Sequence, residues 1–99
     1  MMLTFRCLEV MTAHPHTSSA VHHHGEQDTI IYAQSGHGSI ISEGGNKRQD
    51  LAPGDFALIP AYREHQEVND GEEDVVWIIT RSGGEPTVVN LKGWGKSEE

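Results

Sequence analysis

Helical periodicity is almost absent from this chain. No long window repeats apolar residues at three-and-four spacing, and eleven Gly and four Pro punctuate short β-branched runs instead. The runs cover 3–11, 20–24, 29–34, 39–42, 47–51, 56–59, 75–81 and 87–91. Each break has a turn chemistry of its own. Gly44-Gly45 can supply two positive φ angles for a tight hairpin, Pro53-Gly54 suits the centre of a type II turn, and Asn69-Asp70-Gly71 tolerates left-handed backbone. Many short strands at this spacing predict an all-β sandwich or barrel. The run Val75-Val76-Trp77-Ile78-Ile79 does not alternate, so both of its faces are expected to be covered, one of them by a second sheet or a partner subunit.

Ninety-nine residues suffice for one core, and the chain is expected to be a single domain over 1–99. The formal charge is −8, and no basic run exceeds Lys47-Arg48, so a nucleic-acid backbone would be repelled. Carboxylates fill six of the eleven positions from Glu64 to Asp74, which reads as a solvated, solubilising loop. Cys7 is the lone cysteine and sits among apolar neighbours, so it is expected to be a buried structural thiol. No apolar stretch approaches eighteen residues and no signal-peptide pattern opens the chain, so the expectation is a cytoplasmic protein without membrane contact.

Seven histidines are far more than such a chain ordinarily carries, and His22-His23-His24 are consecutive. On a strand, His22 and His24 share one face while His23 points the other way. A third imidazole, His65, follows the Pro53-Gly54 turn and a second apolar strand. Three imidazoles and an oxygen donor suit a divalent Zn, Fe, Ni or Mn ion with positions left open for water or substrate. His14, His16, His23 and His37 read as surface or edge residues. Gly36-His37-Gly38 lacks the rest of a dinucleotide loop, and neither a nucleophile elbow nor a P-loop lysine is present.

These residues resemble the cupin superfamily. Its second motif, Pro-Gly-x5-Pro-x-Gly-x2-His-x3-Asn, matches at Pro53, Gly54, Pro60, His65 and Asn69, with Tyr62 standing where the motif has glycine. The first motif lies at about 16–36 and matches at His22, His24 and Gly36, with His16 in place of its opening glycine. The resemblance implies a double-stranded β-helix, the jelly-roll barrel of RmlC-like proteins. It also implies one divalent metal held by His22, His24 and His65, and pairing into a homodimer through the sheets.

The carboxylate ligand of the first motif has no fixed counterpart here. Counting back from Gly36 reaches Thr29, and counting on from His24 reaches Asp28. Strand phase turns Gln27 and Thr29 inward, whereas a bulge would bring in Asp28. Asp28 is favoured on charge as fourth ligand or base, with Glu26, Gln27 or water as alternatives. Tyr62 is expected at the barrel mouth as a gate that stacks on a ligand. The function implied is a metal-dependent enzyme acting on a small molecule, with a leaning to oxygenase or isomerase chemistry. The alternative is a non-catalytic cupin that binds a metabolite or metal.

Overall fold

A computed structural model describes residues 5–83 and 86–98. It contains ten strands: β1 (Phe5–Ala13), β2 (Thr17–Ser18), β3 (His22–His23), β4 (Thr29–Ser35), β5 (Gly38–Ser42), β6 (Lys47–Leu51), β7 (Phe56–Ile59), β8 (His65–Asn69), β9 (Val75–Ser82) and β10 (Val89–Asn90). One 3₁₀ turn, Glu43–Gly45, is the only helical element among the described residues, and no helix there is long and apolar enough to cross a membrane. The fold is all-β, as expected.

The strands form two antiparallel sheets. One runs β1-β9-β4-β7, and the other runs β10-β3-β8-β5-β6 with β2 paired to β8. Strands β6 and β7 coincide with the runs read from the sequence. Strands β2 and β8 do not correspond to any of those runs, because Thr17–Ser18 and His65–Asn69 carry too little apolar surface to stand out. The segment from Glu64 to Asp74 is therefore not all solvated loop: Glu67 lies within β8 and is 5% exposed.

The inward faces alternate regularly. Along β9, Val75, Trp77 and Ile79 are buried, while Val76 and Ile78 are half-buried on the outer side. With Ile31, Ala33, Ile40, Leu51 and Ile59 they make the core between the sheets. Trp77 fits because Gly38 faces it without a side chain; a Cβ there would lie 2.3 Å from the indole. Asn69, the last residue of the second motif, ties this core to the loops. Its amide donates to the Ala13 and Glu73 carbonyls and its oxygen accepts from the Gly71 N–H.

The outer face of the four-stranded sheet is apolar. Leu8, Thr80, Ile30 and Leu58 are in register across it, and so are Val10, Ile78, Tyr32 and Phe56. Among the described residues, five of the seven exposed large hydrophobics, Leu8, Val10, Tyr32, Phe56 and Leu58, lie on this one face. Trp94 does not join it: its indole lies against Gly45 in the turn before β6.

Gly38→Ala is expected to lower the stability by about 1–3 kcal/mol, because the Trp77 ring cannot yield in a packed core. Urea unfolding of the variant checks this, and an unchanged midpoint would contradict the packing described.

Candidate metal centre

Three histidines meet where β3 crosses β8. His22 is the direct cross-strand partner of His65, so their side chains project from the same face of the sheet at close range. Their ring centroids are 4.3 Å apart, and His24 follows His22 onto the same side with centroids 5.1 Å from His22 and 5.0 Å from His65. All three are buried, His65 completely. His23 points the other way, half-buried, as strand alternation requires.

The fourth member is Glu67. Two residues after His65 on β8, it shares that inward face. Its carboxylate lies 3.3 Å from His22 Nε2 and 3.5 Å from His65 Nε2, and it accepts a 3.0 Å hydrogen bond from the Ser19 hydroxyl. One donor atom from each of His22, His24, His65 and Glu67 can be chosen so that all lie within 4.8 Å of one another.

The rings are oriented from behind. Nδ1 of His22 donates to the Ala20 carbonyl at 2.8 Å, and Nδ1 of His65 to the Arg63 carbonyl at 2.9 Å. His24 Nδ1 lies 2.9 Å from the Thr87 carbonyl and 3.0 Å from Arg81 Nε. One neutral ring nitrogen serves only one of these, and the tautomer that donates to Thr87 leaves Nε2 bare. Backbone anchoring of this kind fixes which nitrogen is presented to a metal. His24 Nε2 and His65 Nε2 are buried without a hydrogen-bond partner, a costly state that a cation would relieve. The residues present thus fit a divalent ion bound by three nitrogens and one oxygen.

Burial disfavours the charged Glu67, but the adjoining His22 and His65 outweigh that penalty and hold its carboxyl well below the usual range. His22 is likewise opposed by burial and is raised by its contact with Glu67. His24 is pushed down to about 4 by burial, aided by the charge of Arg81 and by the other two imidazoles. Arg81 is itself buried and paired with Glu9.

The group contains His22, His24 and His65 as read from the sequence, and takes its carboxylate from Glu67 rather than from Asp28. Asp28 is half-buried, and its Oδ1 accepts from the Ala61 N–H at 3.0 Å, bracing the loop after β7. No bulge turns it inward. Gln27 and Thr29 are buried as strand phase requires, and Glu26 is exposed. Thr29, reached by counting back from Gly36, keeps a buried hydroxyl with no hydrogen-bond partner.

Tyr62 is 64% exposed and its ring lies 5.8 Å from that of His23, the imidazole that faces away from the group. It adopts φ +60°, the left-handed conformation of the glycine it replaces in the motif. His14 and His16 face Asp74 and Glu72 at the surface.

The sequence pattern of the family described as "Cupin domain" matches residues 9–81, a span that contains all four members of the group. The chain belongs to the cupin family. Proteins of known structure share its fold at low identity. An uncharacterized conserved protein with a double-stranded β-helix domain from Klebsiella pneumoniae aligns with 90% of this chain and 82% of its own, at 20% identity and a TM-score of 0.75. A sugar phosphate isomerase from Silicibacter pomeroyi aligns with 86% of this chain at 22% identity and a TM-score of 0.71, and this cupin spans 55% of its length. The polyketide cyclase RemF from Streptomyces resistomycificus aligns with 88% of this chain and 61% of its own, at 20% identity and a TM-score of 0.74. No curated protein matches this cupin significantly.

The depressed pKa of His24 sets the acid behaviour of the metal-free protein. Between pH 6.5 and about 4 the unfolded chain takes up a proton that folded His24 refuses, so stability falls as pH drops through that window. The contribution of His22, whose pKa is raised, is already complete below pH 6.5, and that of Glu67 is lost only below its ordinary value of 4.5. The urea midpoint of chelator-treated protein is expected to be lower at pH 5 than at pH 6.5; an equal or higher midpoint at pH 5 would show that His24 is not held neutral.

Proposed function

We propose that this cupin is a metal-dependent enzyme acting on a small organic molecule. The single observation that carries the reading is the convergence of three backbone-anchored imidazoles and one carboxylate, with two buried Nε2 atoms that have no hydrogen-bond partner. His22, His24, His65 and Glu67 are the proposed ligands, and Ser19 orients Glu67 through its hydroxyl. A divalent ion there supplies Lewis acidity or, if it is iron, the means to activate O₂. Four protein donors leave room in a six-coordinate sphere for two oxygen atoms of a substrate, which favours oxygenase or isomerase chemistry. A sugar phosphate isomerase and a polyketide cyclase among the structural neighbours accord with catalysis on this scaffold.

Elemental analysis of dialysed protein tests the reading. Near-stoichiometric metal is expected in wild type, with loss in His22→Ala and His65→Ala, affinity weakened more than about tenfold in Glu67→Gln, and no change in Asp28→Asn. Iron would direct assays to oxygenation, and zinc, nickel or manganese to isomerisation. Wild type that takes up no metal after reconstitution would overturn the proposal, and loss of metal in Asp28→Asn alone would restore Asp28 as the ligand.

We also propose that a second copy of the chain covers the outer face of the four-stranded sheet. The two cross-strand rows on that face contain no charged residue, so two such faces can meet without like-charge repulsion although each chain carries −8. Light scattering at micromolar concentration is expected to give twice 10.9 kDa, reduced to the monomer mass by Phe56→Glu. A monomeric wild type would defeat the pairing.

A further inference from the structure

A cleft of about 200 Å³ has His65 among its walls, together with Lys47, Gln49, Ser42, Arg63 and Ile59. A larger cavity of about 440 Å³ lies beside Arg48, Asp50 and Asp70 and touches no member of the histidine group; there Arg48 is already paired with both acids. The cleft on His65 differs in its charge. No Asp or Glu lines it, although the chain carries fifteen such residues against seven Lys and Arg. Two of those seven cations, Lys47 and Arg63, are in its wall, and among the described residues neither forms a salt bridge.

Register explains why Lys47 belongs to this wall. Lys47 is the cross-strand partner of Ser42, Ser42 of His65, and His65 of His22. Directly paired residues point to the same side of a sheet, so one row carries the lysine, the serine hydroxyl and two of the four grouped residues. Two strand spacings put the Lys47 backbone about 10 Å from that of His65, a gap its flexible side chain narrows. Gln49, Ile40 and Glu67 form the next row. Arg63 approaches from the loop before β8, with its carbonyl bound to His65 Nδ1.

We propose that this cleft is the substrate subsite and that it takes a small organic anion, a carboxylate or phosphate ester, whose charged end is held by Lys47 and Arg63 while its other end reaches the histidine group. The cleft has room for about seven water molecules, well below the 300–1,000 Å³ of pockets for drug-sized ligands. The ligand is correspondingly small. In a chain of net charge −8 the overall field repels anions, so selectivity comes from these two local cations, and Gln49 and Ser42 add polar partners for the remaining oxygens.

The subsite rests on the proposed metal-dependent function for its role in catalysis but not for its affinity, and calorimetry separates the two. Malonate and its uncharged counterpart malonamide are titrated into both metal-loaded and chelator-treated protein. Malonate is expected to bind both forms, more tightly when metal is present, with malonamide at least tenfold weaker and the affinity falling as NaCl is raised. Lys47→Gln and Arg63→Gln are each expected to weaken malonate about fivefold, and the double variant more than either, with metal content and melting temperature unchanged. Equal binding of malonate and malonamide, undiminished malonate binding by the double variant, or no malonate binding to either form would overturn the subsite. Absence of metal in a protein that still binds malonate in this charge-dependent way would instead sink the metal reading and leave the subsite standing.

Discussion

The pairing of His22 with His65 across β3 and β8 is the constraint on which the site depends. Side chains on a strand alternate, so a slip of one residue in this short pairing would send His22 and His24 outward and present His23 alone. The register is held on both sides of β3. Val89 and Asn90 pair with His23 and His22, and the Leu91 N–H donates to the Val21 carbonyl. The Ser19 N–H donates to the Glu67 carbonyl, while the Ser19 hydroxyl accepts from the Glu67 N–H. Every strand that touches the group thus fixes the same face inward.

That arrangement works against itself without a cation. Three imidazoles crowd one buried space, the Nε2 atoms of His24 and His65 have no hydrogen-bond partner, and burial, aided by Arg81 and then by the other two imidazoles, lowers the pKa of His24. Glu67 relieves part of this conflict by sharing charge with His22 and His65. The carboxylate nearest the three imidazoles stands on β8, two residues beyond His65.

Much of this was legible in the sequence. The turn chemistry and short runs gave an all-β fold, the His22-x-His24 spacing gave one shared face, and the Pro53 to Asn69 motif gave His65. Glu67 was missed for a physical reason. His65-Gln66-Glu67-Val68-Asn69 contains one apolar residue, so β8 is invisible to hydrophobic periodicity, and it sits inside an acidic run that resembles a solvated loop. Its inward side chains are polar because they face the site rather than the apolar core. Extending the two-residue period from His65 would have reached Glu67 and Asn69, both buried. Charge and place in the chain favour Asp28, yet its Oδ1 accepts from the Ala61 N–H and it lies outside the histidine group.

Diffraction from crystals of the metal-loaded protein, measured at the absorption edge of the bound metal, tests the central claim most directly. The account predicts one anomalous peak about 2.0–2.2 Å from Nε2 of His22, His24 and His65 and from a carboxylate oxygen of Glu67. A peak ligated by Asp28 in place of Glu67, or no peak among the three histidines, would contradict it.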